Sequence, residues 1–168
     1  IKAMLESVYK DDIQDISKIV DFADGFPQMA VLLANARLND DPEMGSLTDP
    51  VLLEKMLWGN GMPDENAKQI LKGYALFDLF GLEGDVAEQF DFIANNIVEM
   101  NAKECFKHIN AFKKKGIIDQ KGRFASVVPK PLAIRLSAEF WDDLRTQDAV
   151  TLIEKDFPGE LAQALCDN

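Results

Sequence analysis

The sequence is poor in the residues that most often carry chemistry, with one histidine, His108, and two cysteines, Cys105 and Cys166. One cysteine falls inside a helical pattern and the other near the end of the chain. Together with a lone histidine they make neither a disulfide framework nor a metal-ligand set. That usage fits a reducing, cytoplasmic compartment with no bound metal. No Gly-x-x-x-x-Gly-Lys-Ser/Thr loop occurs, so the chain has no such cradle for a triphosphate of its own. No local motif supplies His108 with an acid and a nucleophile, and no catalytic residue is assigned. No apolar run approaches the roughly 18–20 residues that span a bilayer, so no membrane partner is expected. The opening Ile1-Lys2-Ala3-Met4 has neither an initiator methionine nor a signal-peptide charge pattern. The chain reads as a soluble piece of a longer protein.

What the sequence does have is apolar content and charge asymmetry. Hydrophobic residues make up 47% of 168 residues, ample for a buried core, and the formal net charge is −11. From Asn101 to Arg135, however, nine basic residues face only Glu104 and Asp119, so that stretch carries +7 and the remainder −18. A basic module sits in an acidic body. The acidic pairs Asp11-Asp12, Asp40-Asp41 and Asp142-Asp143 read as solvated surface.

Apolar periodicity then sets the organisation. Asp11 to Ala23 has a helical stripe of Ile13, Ile16, Val20 and Ala23, stopped by Gly25. Pro27 suits the first turn of the next helix, where a missing N–H costs nothing. That helix, Gln28 onward, is apolar nearly all round and is expected to be buried. Asp40 to Thr48 is a polar loop, and Asp49-Pro50 opens a further helix to Trp58. Gly59 to Pro63 breaks the chain.

Beyond it, Asp64 caps a helix with Ala67, Ile70, Leu71, Tyr74 and Phe77 inward, closing near Gly81. A turn follows, then a helix with Val86, Phe90, Ile93 and Ile97. Asn101 to Glu104 has the form of a capping box. It starts a helix with Cys105, Phe106, Ile109 and Phe112 inward, stopped by Gly116. Ile117 to Val128 reads as a β-hairpin turning at Gln120 to Arg123. Three helices followed by a hairpin is the winged helix-turn-helix order. Leu132, Leu136, Phe140 and Leu144 mark one more helix, and two short pieces finish the chain. The expected fold is mainly α. It comprises a helical bundle (1–60), a winged-helix domain with a two-stranded wing (61–144) and a short helical tail (145–168).

Opposite the apolar stripe of the third winged-module helix, Lys103, Lys107, Asn110 and Lys114 recur at helical spacing. Lys121 and Arg123 lie on the wing, where a DNA-binding wing touches phosphates. This basic face suits either a DNA backbone or an acidic protein surface; the acidic remainder of the chain favours the latter.

Gly25-Phe26-Pro27, between two helices and upstream of a winged-helix pattern, resembles the lid of the STAND class of signalling ATPases, relatives of the AAA+ ATPases. In that class a Gly-x-Pro opens a lid helix, and a winged-helix domain follows the lid directly. Ile70 to Phe77 is similar to the opening helix of those winged domains, and the likeness spans roughly Asp12 to Trp141. The resemblance implies that Gly25 provides the turn and Pro27 contacts the adenine of ATP or ADP. Many eukaryotic members carry Met-His-Asp after the wing, whose histidine reads the β-phosphate. The comparable stretch here is Pro129-Lys130-Pro131, with Lys130 as the point charge able to reach a phosphate.

The resulting expectation is a non-catalytic regulatory fragment. Its lid and winged helix close over nucleotide held by an upstream nucleotide-binding domain of the same protein, and exchange permits self-association. The alternatives are a winged-helix DNA-binding regulator, with Ala102 to Lys115 as recognition helix, and a protein-interaction adaptor needing neither nucleotide nor DNA.

Overall fold

The computed structural model describes residues 1–9, 13, 16–23, 27–38, 57–58 and 61–167. The chain divides into two compact units, Ile1–Asp64 and Glu65–Asn168.

In the first unit, α1 (Lys2–Tyr9), α2 (Ile16–Phe22) and α3 (Pro27–Leu38) pack against one another. Their core holds Leu5, Ile19, Met29, Ala30, Leu33 and Ala34. The Tyr9 hydroxyl donates to Asn35 Oδ1 at 2.9 Å, linking α1 to α3. The periodicity assigned no helix before Asp11, and α1 adds one. It also ran the second helix through Ile13, which is buried but lies outside α2. α3 does open at Pro27, yet it is not buried all round: Asn35 and Leu38 are exposed and Val31 is half-buried. Ala30 and Ala34 are wholly buried on its inner face, where their small side chains allow close packing. The loop and helix expected between Asp40 and Trp58 lie outside the described residues, apart from helical Leu57 and Trp58.

The second unit runs α4 (Glu65–Ala75), β1 (Phe80–Gly81), a 3-10 turn (Gly84–Val86), α5 (Ala87–Asn96) and α6 (Ala102–Lys114). It continues through β2 (Ile118–Lys121), β3 (Phe124–Val127), α7 (Lys130–Asp143), α8 (Thr146–Ile153) and α9 (Leu161–Cys166). The described chain is therefore mainly helical with one small sheet. The sheet is antiparallel in the order β1-β3-β2, with Phe80 opposite Ala125 and Ile118 opposite Val127.

The core gathers the apolar stripes of α4, α5, α6 and α7: Ile70 and Leu71, Phe90 and Ile93, Cys105 and Ile109, Leu132 and Leu136 are all buried. Tyr74 is wholly buried among them, and its hydroxyl donates to the Phe90 carbonyl at 3.0 Å. A buried phenol needs such an acceptor. Burial, with smaller contributions from Cys105 and Asp91, pushes this phenol far above its ordinary pKa.

The second unit departs from the sequence pattern at several points. The first is that α4 ends at Ala75 instead of near Gly81, and Phe80–Gly81 adds a third strand to the expected two-stranded wing. Pairing with β3 and a 2.7 Å bond from the Gly81 N–H to buried Gln89 Oε1 reward extended backbone there. The second is that Asn101 caps the N–H of Lys103 at 2.9 Å, not that of Glu104 as a capping box would. The third is that Leu144 is half-buried just beyond the end of α7 and does not continue its inner stripe.

The terminal segment 145–168 belongs to the second unit. Asp78 N–H donates to the Ala164 carbonyl, and the Phe157 ring lies 5.3 Å from Phe92 and 6.1 Å from Phe77. Among the described residues, no helix is long and apolar enough to cross a membrane.

Candidate docking face and nucleotide-contact residues

α6 is built to present its basic side outward. Its N-cap is Asn101, Glu104 stands in the first turn, and Lys113 and Lys114 stand in the last. Each charge therefore opposes the partial charge of its helix end. Gly116 adopts φ +75°, a left-handed conformation that suits glycine and stops the helix. Cys105, Ile109 and Phe112 anchor the inner face. On the outer side Lys103, Lys107 and Lys114 are exposed and Asn110 is half-buried. Among the described residues no carboxylate pairs with any of these three ammonium groups. Their neighbours are more occupied: Lys113 donates to Gln120 Oε1 at 2.6 Å, and Lys115 sits 5.9 Å over the Phe112 ring.

The cations of the hairpin are held by acidic neighbours. The Arg123 guanidinium reaches both carboxylate oxygens of Asp85, at 2.5 and 2.7 Å, and lies 5.7 Å over the Phe124 ring. Lys121 is the freest in space, with its ammonium 3.4 Å from Asp119. At the start of α7, Lys130 binds Asp78 in the segment that leads into β1. Exposed pairs of this kind contribute only about 0–1 kcal/mol each. Their larger effect is on charge: Arg123 and Lys130 come with a carboxylate attached, which lowers their pull on phosphate. Sequence spacing alone carried no sign of this, since Asp85 and Asp78 are distant along the chain.

Pro27 is the first residue of α3 and is exposed; Gly25 lies outside the described residues. Pro27 belongs to the first unit and Lys130 to the second.

The residues of ordinary catalytic interest are quiet. Among the described residues no group of three His, Cys, Asp or Glu side chains is arranged to hold a metal ion. His108 is half-buried on α6. Burial, reinforced by Glu104, pushes the Cys105 thiol up to about 11, so it is protonated and inert near neutrality.

One feature was missed by the sequence pattern. Phe106, expected inward, is 38% exposed and meets Phe90 edge-on at 5.8 Å. It forms part of an open cavity of about 380 Å³ between α5 and α6, to which Leu82, Ala87, Lys103 and Lys107 also contribute.

No protein-family model, curated protein or solved structure matches this chain.

Proposed function

We infer that this chain is the lid and winged-helix region of a nucleotide-dependent signalling switch of the STAND type. The observation that carries the reading is the order of its parts. A helical unit in which Pro27 opens α3 is followed by a unit ordered α4-β1-α5-α6-β2-β3, with the sheet arranged β1-β3-β2. A strand after the first helix, two further helices and a hairpin support the winged-helix reading. In the resting state both units close over ADP bound by an upstream domain, with Pro27 against the adenine. ATP favours the opened form, because a ligand shifts a switch only through differential contact with its two states.

The test is nucleotide retention by the full-length gene product. Pro27→Ala is expected to speed ADP loss about tenfold, measured with a fluorescent ADP analogue. Unchanged ADP retention in that variant, or a gene without a phosphate-binding loop before Ile1, overturns the reading.

A winged-helix DNA-binding regulator is the second reading, favoured by the exposed ammonium groups of Lys103, Lys107 and Lys114, which have no carboxylate partner among the described residues. Against it stand the net charge of −11 and the carboxylates attached to Arg123 and Lys130. It requires anisotropy changes with a random duplex that fall steeply with salt and vanish in Lys107→Glu.

A further inference from the structure

The groove between α5 and α6 combines three properties. Its floor is apolar, from Leu82, Ala87 and Phe90, and Phe106 stands half out of the fold beside it. Its α6 side carries Lys103 and Lys107, which have no carboxylate partner among the described residues, whereas its α5 side carries Asp91. At about 380 Å³ it is large enough for bulky side chains, within the range of ligand-binding clefts. Exposed aromatic surface is what protein interfaces draw on for affinity, and the two lysines beside it add electrostatic selectivity for an acidic partner.

We propose that this groove docks an acidic amphipathic helix of a partner protein, with its apolar side chains on Phe90 and Phe106 and its carboxylates on Lys103 and Lys107. The charge layout selects this occupant. Carboxylates are attracted to the α6 side and repelled by Asp91, so the peptide has a defined orientation. A DNA duplex would satisfy the lysines but offers no flexible apolar side chain for the floor. The proposal rests on the reading of the lysine face as a protein-docking surface, and it is independent of whether Pro27 meets a nucleotide.

The probe is a fluorescein-labelled peptide with leucines at i, i+3, i+4 and i+7, glutamates along one flank of that stripe and alanines elsewhere, its helicity checked by circular dichroism, titrated with the full chain. Binding is expected, and Lys107→Glu and Ala87→Glu should each weaken it about tenfold or more. Ala87 is the half-buried first residue of α5, where a glutamate suits the helix N-terminus, so that variant keeps its fold, as checked by circular dichroism. Absence of binding overturns the proposal, as does equal binding of a peptide with lysines in place of the glutamates. Binding lost in Lys107→Glu but kept in Ala87→Glu overturns the groove while leaving the lysine face as a docking surface. Displacement of the peptide by duplex DNA overturns the docking reading itself. Concentration-dependent self-association abolished by both variants would assign the groove to a second copy of the chain instead.

Discussion

The Lys72 ammonium lies 2.9 Å from Asp143 Oδ2, joining the buried side of α4 to the last residue of α7. A carboxylate at a helix C-terminus faces the negative end of the helix dipole. Lys72 offsets that conflict and also approaches Glu139 Oε2 at 3.3 Å. Its stem is buried while Asp143 remains largely exposed, so the packed methylenes outweigh the ion pair.

Lys72→Ala is therefore expected to destabilise the chain by about 1–2 kcal/mol and Lys72→Met by less than about 1. Glu139 keeps Lys68 and Arg135 within 3.7 Å in either variant. Urea denaturation measures both; an equal loss in the two would mean that charge, not packing, dominates.

Gly81 is required by close approach. A Cβ there would lie 2.3 Å from the Val86 carbonyl oxygen, which is backbone and anchored by the 3-10 turn. At Gly73 the nearest contact, at 2.5 Å, is the end of the Val98 side chain. Gly81→Ala should cost about 2–4 kcal/mol and Gly73→Ala distinctly less, because a side chain yields more readily than backbone. Thermal melts of the two variants give the ranking directly.

Glu99 has φ +58°, the left-handed conformation that glycine usually supplies after a helix. The chain folds back there, with the Met100 N–H bound to the Ala94 carbonyl. Glu99→Gly should stabilise the second unit by about 0.5–1 kcal/mol. A lowered denaturation midpoint would show that the Glu99 side chain contributes more than its backbone conformation costs.

Cys105 and Cys166 should separate by reactivity. Cys166 is exposed and should be labelled quickly by a thiol reagent at neutral pH, while buried Cys105 should react only on unfolding. The raised Cys105 pKa also sets an alkaline limit. Its neutral thiol stabilises the fold in full below pH about 9, and that contribution is lost as pH rises through about 11. Stability measured across that window should fall, and less steeply in Cys105→Ala.

Much of the second unit was legible along the chain. Ile70 and Tyr74, Phe90 and Ile93, Ile109 and Phe112, and Leu132 and Leu136 recur at helical spacing, and all are buried. Gly116 and Gly122 stand at positive φ at the end of α6 and in the hairpin turn, where the sequence pattern placed a stop and a turn. The basic face of α6 was equally readable, because residues spaced three and four apart share a helix side whatever packs behind them. Phe106 was misread because it borders that stripe, and its neighbours on α5 decide whether it is covered.

The sequence by itself determined where most helices and turns of the second unit form and which side of each is mainly apolar, since these follow from local periodicity, capping and backbone freedom. Only the tertiary structure decided that Phe80–Gly81 is a strand, that Arg123 and Lys130 are held by Asp85 and Asp78, and that a groove opens beside Phe106. Strand pairing, ion pairs and cavities depend on groups far apart in the chain meeting in space, and a linear pattern holds no record of those meetings.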